Sequence, residues 1–204
     1  DQLCTGEDII MAQNSQKLSF VEFVDEAMGR KIPDTWDRIN MGYALEEVTD
    51  SVPAGEIRHL TPSVVHGVTP QSELENNPQK ALRDDYELTC AVPGDFVVTM
   101  SSYEYGLEYC GISGGISPDY TVLRPTTDEP REEFMKYLFK SPVFIELISL
   151  LSSGIRQGKR IYWSDLRNVE IALPEPSTAK AIADYVDSKL EQIDSLIEKK
   201  QKLL

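Results

Sequence analysis

Gly111-Ile-Ser113-Gly-Gly115 is the first place where residue types and spacing could do chemistry. It spells G-x-S-x-G, the turn that presents a nucleophilic serine to an acyl substrate. Such an elbow has to open a helix at once, whereas Ile116-Ser-Pro118 leads into a strand, so hydrolysis is set aside. The same glycines lack the Lys of a phosphate-binding loop and open no helix. A methyltransferase site needs an Asn/Asp-Pro-Pro-aromatic tetrapeptide, and the chain contains none. Glu198-Lys-Lys200 has the local spelling of a nuclease site but falls in a helical heptad pattern, where it reads as a solvated face. The 3 Cys (Cys4, Cys90, Cys110) show no CxxC spacing, and the 2 His (His59, His66) have no metal-ligating neighbours. That inventory builds neither a disulfide framework nor a structural zinc site, so no cofactor, no metal and no catalysis are expected.

The chemistry that remains is recognition. The 204 residues carry a net charge of −14, yet from Ser153 to Trp163 there are Arg156, Lys159 and Arg160 and no acid. Gly154 and Gly158 permit close backbone approach, Arg156 and Arg160 suit guanine edges or phosphate, and Gln157 suits adenine. Lys159 suits phosphate. A solvated surface loop is the plain alternative. Ser101, Ser102, Tyr103 and Tyr105, on a loop between strands, could contact bases and backbone, and Glu104 could accept from a cytosine amine or be a surface acid. Lys80 and Arg83, on the polar stretch before the next strand, are weaker candidates for the same surface. A chain this acidic does not bind a polyanion by bulk attraction, since phosphate must be neutralised by Lys and Arg. Any such contact has to be local. Residues 1–50 carry 4 basic and 11 acidic groups, whereas 151–204 carry 9 basic and 8 acidic.

The elements that must hold these residues follow from pattern. With 41% hydrophobic and 26% charged residues the composition is that of a globular chain, and no apolar run reaches a membrane-spanning length. Residues 1–31 read as an acidic lead-in, and Ile32-Pro-Asp-Thr-Trp36 as a turn that seats Trp36 in the core. Gly42–Val48 reads as one or two helical turns, and Val52–Gly67 as short strands and turns. Tyr86–Val92, the turn Pro93-Gly94-Asp95 and Phe96–Met100 predict strand–turn–strand, with a further strand over 119–124. Residues 131–151 predict a helix broken at Ser141-Pro142, with Glu132 and Glu133 at its N-terminal end. Ile161–Trp163 predicts a short strand, 165–168 a turn capped by Ser164, and Val169–Leu173 a half-buried strand.

Beyond Pro174-Glu-Pro176 the pattern changes. A helix capped by Ser177 or Thr178 runs to Leu204 with no Gly or Pro. Val186, Leu190, Ile193, Ile197 and Leu204 fall at a/d heptad positions, with Lys200 in the remaining slot. Such a helix is about 40 Å long at roughly 1.5 Å per residue, longer than a compact domain of this size requires. It is expected to project and to need a partner for its stripe.

Several segments, taken in order, resemble the specificity subunits of type I restriction–modification systems. They are Ile32-Pro-Asp-Thr-Trp36, Gly94-Asp-Phe-Val-Val98, Gly111 through Pro125, Ser153-Gly-Ile-Arg-Gln157, Tyr162-Trp-Ser-Asp-Leu166 and Ile171-Ala-Leu-Pro174. Ile182-Ala-Asp-Tyr-Val-Asp187, Ile193-Asp-Ser-Leu-Ile197, Lys199 and Lys200 resemble that family's spacer helix. The resemblance covers residues 32–204. The chain departs from it at Pro174-Glu-Pro-Ser-Thr-Ala179, where the family has Pro-Pro and then Glu-Gln. It also holds one recognition domain and one helix where complete subunits hold two of each. It therefore reads as a half, either a piece of a longer subunit (its first residue is Asp, not Met) or a natural half that pairs with a copy of itself. The resemblance implies an α+β fold, with a mixed-sheet target-recognition domain over 32–176 and a projecting coiled-coil helix over 177–204. It implies a non-catalytic subunit that reads one half of a bipartite sequence in double-stranded DNA. Through its helix such a subunit holds a modification (methyltransferase) subunit, by way of that a restriction subunit, and a second specificity half. The setting expected is cytoplasmic, with no membrane. The competing reading is an acidic interaction and dimerisation module that never meets DNA.

Overall fold

Phe96-Val97-Val98 form β7 (Phe96–Val98), and all three side chains are buried. A strand with no polar face has to lie between two cores. Phe96 and Val98 point into a helical core with Phe134, Phe139 and Phe144, and Val97 points the other way toward Leu60, Val68 and Ile116. Its neighbour β10 (Thr121–Pro125) alternates in the same sense, with Leu123 in the helical core and Val122 in the other. The computed structural model in which this is seen describes residues 31–74, 86–126, 131–151 and 161–202.

β7 belongs to an antiparallel four-stranded sheet of order β2 (Leu45–Glu47), β10, β7, β8 (Glu108–Tyr109). Against its second face lies a five-stranded sheet of order β3 (Ser51–Pro53), β6 (Glu87–Ala91), β9 (Gly114–Ile116), β4 (His59–Ser63), β5 (Gly67–Pro70). Within it β4 and β9 run parallel, with Leu60 opposite Ile116, so the sheet is mixed. β1 (Asp37–Asn40) and β11 (Glu170–Leu173) form a separate antiparallel pair with Asp37 opposite Leu173.

The helical core is built by α3 (Glu132–Leu138) and α4 (Pro142–Ser149), with the single turns α1 (Met41–Ala44), α2 (Ser102–Tyr105) and α5 (Trp163–Leu166) filling its margins. The break at Ser141-Pro142 has the expected cause: Ser141 accepts from the Phe144 amide at 3.2 Å and Pro142 occupies the first turn. Phe139 sits 4.9 Å from Phe96 and 5.0 Å from Phe144. Trp36 meets Phe134 edge-on at 5.5 Å and is partly buried against this core.

α6 (Pro176–Gln201) completes an α+β fold with a mixed sheet and a long C-terminal helix. Its first turns dock through Ala179 and Ala183, both fully buried, whose small side chains allow close approach to the domain. From Ser188 to Lys202 every residue is exposed. That leaves roughly 20 Å of helix, at about 1.5 Å per residue, exposed along its length.

Local expectations are corrected in three places. Gly42–Val48 is not helical throughout: one turn ends at Ala44 and β2 follows, because Leu45 is drawn into the core while Glu46 and Glu47 stay exposed. The predicted strand at 161–163 is absent, since Trp163 already starts α5, and Ser164 lies inside that turn rather than capping it. α6 begins at Pro176, one residue before the expected boundary, with Glu175 at the N-cap position and the Ser177 hydroxyl donating to its carboxylate. The strand–turn–strand reading of 86–100 holds, and β6 and β7, consecutive across Pro93-Gly94-Asp95, lie in different sheets. The G-x-S-x-G glycines serve packing: a Cβ at Gly114 would lie 2.5 Å from Leu60 Cγ, and one at Gly115 2.7 Å from Leu88 Cβ.

Candidate nucleic-acid interface

The segment 101–105 folds as a tight turn because its own polar atoms close it. The Thr99 amide donates to Ser102 Oγ at 2.8 Å, and the Ser101 amide donates to Thr99 Oγ1 at 3.1 Å. Ser102 is fully buried by this use, so its hydroxyl offers no face to a duplex, and it leaves the set of contact residues. Tyr103 packs partly buried against the helical core, and its phenol is raised above the ordinary range, first by the hydrogen bond with Glu104. Ser101 is half-buried and Tyr105 is exposed. Gly106, at φ 74°, lets the chain turn hard against the junction of α3 and α4: a Cβ there would stand 1.9 Å from the Phe139 carbonyl oxygen and 3.3 Å from Ile145 Cγ1 of α4. α2 is therefore held against the helix whose C-terminal end leads into residues 152–160.

Arg156, Gln157, Lys159 and Arg160 lie outside the described residues, as do Lys80, Arg83 and Leu204. The flanks of 152–160 are described. Leu151 packs partly buried against the helical core and Ile161 is buried within it, so both ends of that segment are anchored in one place.

Electrostatics narrows the surface further. Arg124 holds the buried Asp95 through two bonds, at 2.9 and 2.8 Å, and Asp95 also accepts from the Val92 amide, which fixes the turn between β6 and β7. That bidentate bond is the first cause of the raised Arg124 pKa. Arg131 pairs with Asp37 at 2.9 Å, Lys136 with Asp187 at 3.2 Å, Lys140 with Glu108 at 2.6 Å and Lys180 with Asp184 at 3.0 Å. These five cations are thus taken up in ion pairs within the chain. Arg58 and Arg167 are exposed and carry no ion pair among the described residues. Arg167 closes α5, just after the basic segment; only its position beyond an acid-free window could have marked it in the sequence. His59 is structural, with Nε2 2.6 Å from the Ala54 carbonyl oxygen, and His66 is exposed. Among the described residues no three His, Cys, Asp or Glu side chains are grouped to hold a metal ion, and no helix is long and apolar enough to cross a membrane.

α6 leaves the domain at a latch. Tyr137 and Lys136, on α3, both donate to Asp187. Their bonds hold the Asp187 carboxyl below its usual range, Tyr137 first. Beyond the latch Leu190, Ile193 and Ile197 are 45%, 50% and 49% exposed, while Val186 is half-buried. Beside Leu190 opens a cleft of about 510 Å³, walled by Val64, Val65 and Val68 on one side and Tyr109 and Tyr137 on the other. Glu108 lies in its wall, and burial raises its carboxyl above the ordinary range against the opposing pull of Lys140. The sequence held no sign of this cleft, because its walls come from segments some seventy residues apart.

No family model matches the chain, and no curated protein matches its sequence. Solved structures do. The HsdS subunit from Thermoanaerobacter tengcongensis superposes with a TM-score of 0.53 at 17% identity, covering 87% of this chain and 44% of that one. This chain has the fold of HsdS. A second structure, described as the basis of complex assembly and conformational transition of the type I R-M system, superposes with a TM-score of 0.53 at 16% identity and the same coverage. The chain spans 44% of the length of each of these two structures. The resemblance drawn from the motifs of residues 32–204 is thus matched in three dimensions by HsdS specificity subunits of type I restriction–modification systems.

Proposed function

We propose that the chain is a non-catalytic DNA-recognition unit of a type I restriction–modification complex, reading one half of a bipartite target. The observation that carries this is the fold shared with HsdS over 87% of the chain. In this reading Arg156, Gln157 and Arg160 meet base edges and Lys159 meets phosphate. Ser101 and Tyr105 contribute from α2, with Tyr103 setting its packing. Lys80, Arg83 and the exposed Arg167 add backbone contacts. Because Arg124, Arg131, Lys136, Lys140 and Lys180 are held in ion pairs within the chain, affinity rests on this small set and the acidic remainder repels non-specific duplex.

α6 is the assembly surface, through Val186, Leu190, Ile193, Ile197 and Leu204. It takes a second specificity half and scaffolds the modification subunit and, through that, the restriction subunit, in the cytoplasm where the chromosome lies. The net charge of −14 by itself favours an interaction module that never binds DNA; the shared fold and the acid-free window weigh against it.

The test is genome-wide methylation mapping in cells expressing the chain with its modification subunit, against cells lacking the chain. A new two-part methylated motif is expected, and a palindromic one means that two copies pair. No new methylation beside an active modification subunit overturns the proposal.

A further inference from the structure

Glu108 breaks a rule of burial. It stands in β8, a strand of two residues, and only 2% of it is exposed. One oxygen of its carboxylate accepts from Lys140 at 2.6 Å, and the other has no hydrogen-bond partner among the described residues. Burial raises the carboxyl above its ordinary range, against the pull of Lys140. A group raised in this way contributes stability below its unfolded value and loses it as pH rises through the folded one, so the ionised carboxylate weakens the fold. A buried pair of this kind is weak ground for stability, and apolar side chains would fill the place at less cost. Where a fold keeps such a departure, function is the usual reason.

The geometry around Lys140 supplies that reason. Its ammonium donates to Glu108 on one side of Gly106 and, at 3.0 Å, to the Tyr105 carbonyl oxygen on the other. Between the two, the Leu107 amide donates to the Phe139 carbonyl oxygen at 3.4 Å, and a Cβ on Gly106 would collide with that same oxygen. The backbone contact sets how close the turn comes. The lysine sets which way α2 points, because Tyr105 is the last residue of that turn. Lys140 itself lies between α3 and α4, and α4 is the helix that leads to residues 152–160.

We propose that Lys140 and Glu108 are positioning residues: they hold α2, with Ser101 and Tyr105, in fixed register with the root of the basic segment 152–160, so that both meet one duplex half-site together. The inference rests on the reading of these two segments as DNA contacts, and adds what aligns them. Neither residue of the pair touches the duplex in this arrangement. The charge of Lys140 is taken up by Glu108 and its second bond by the α2 backbone. A contact group held in place beforehand loses less freedom on binding, and a tilted one meets the wrong atoms. The pair thus serves alignment of the contact surface at some cost to the fold.

The test is the double variant Glu108→Gln with Lys140→Met, which removes the strap without leaving a buried charge. Three quantities are read: the melting temperature, amide protection at Tyr105 and Gly106, and affinity, together with the modification subunit, for a duplex bearing the mapped motif. The two amides donate to the Ser101 and Ser102 carbonyl oxygens at 3.1 and 2.9 Å, so their exchange reports on α2 directly. Tm is expected to stay within a few degrees of the parent, protection to fall about tenfold, and affinity to fall about three- to tenfold. Tyr105→Ala should cost the parent a similar factor and the double variant almost nothing, since strap and contact act as one unit. Lys140→Arg, which can donate to both oxygens, should keep the parent's values. Unchanged protection, or a full Tyr105→Ala loss in the double variant, overturns the proposal. So does a double variant that fails to fold, which assigns the pair to stability alone. A parent that binds no duplex while the double variant still loses protection overturns the DNA reading, and the positioning role with it; the exchange result keeps the two failures apart.

Discussion

Gly106 fixes the α2 turn to the core, and replacing it by Ala measures how tightly. At φ 74° and ψ −162° the backbone lies in a region held almost only by glycine, where any other residue carries about 1–3 kcal/mol of strain. The new Cβ would also stand 1.9 Å from the Phe139 carbonyl oxygen, against an ordinary contact of 3.4 Å or more. Phe139 cannot withdraw freely, since its buried ring is wedged between Phe96 and Phe144. Overpacking of such a site adds about 1–3 kcal/mol. The sum centres near 4 kcal/mol, and a chain of this size loses roughly 2–4 °C per kcal/mol, so Tm is expected to fall by about 10 °C. Urea denaturation followed by the fluorescence of Trp36 and Trp163 reads the loss directly. Gly55→Ala is the control: no heavy atom lies within 4 Å of its Cβ, and a change under about 0.5 kcal/mol is expected. A Gly106→Ala chain within about 1 kcal/mol of the parent would refute the close approach of α2 to α4.

Changing Arg156 and Arg160 together to Ala is expected to cause a steep loss of duplex binding and to lower the salt slope by about 2, read by fluorescence anisotropy across a salt series. Equal binding by the double variant removes that segment from the interface. Leu190→Glu or Ile193→Glu is expected to leave the domain folded but monomeric, and an unchanged mass in solution removes the seam on α6. The latch gives a pH dependence. Asp187 has a folded pKa below its unfolded value, so its contribution is present above the ordinary carboxylate range and is lost as pH falls through the depressed folded value. Amide protection in the first turns of α6, taken relative to the intrinsic exchange rate at each pH, should therefore fall at acid pH, and Asp187→Asn should show the lower protection already at neutral pH. An Asp187→Asn chain with the parent's profile would exclude the latch.

Elements whose cause is local were legible in the sequence. Ser141-Pro142 carries both the cap and the helix-starting proline, so the break between α3 and α4 could be placed to the residue. Phe96-Val97-Val98 announced a strand, and the heptad of α6 announced a helix that outruns its domain. What escaped was decided at a distance. Pro93-Gly94-Asp95 showed a turn but not which sheet each flanking strand joins: Asp95 is held by Arg124 from a strand 29 residues on, and β6 and β7 lie in different sheets. The parallel pairing of β4 with β9 leaves no periodic trace, since residues more than fifty positions apart have to meet. Ser102 read as a surface hydroxyl because sequence does not show which of two adjacent serines turns inward. Four residues from Trp163 to Leu166 are too short a run to separate one helical turn from a strand.

The clasp of β1 with β11 has a consequence for how such a chain can change. Asp37 and Leu173 lie opposite each other, and α6 starts at Pro176, so the body of the domain begins and ends beside the root of the helix. A module with adjoining ends behaves as an exchangeable head. Everything between those residues can be replaced by another body of different loops, provided its ends also come within about 5 Å, while the shaft keeps its direction and length. The surface of the head and the length of the shaft are then separable traits, and one can drift or be swapped without retuning the other.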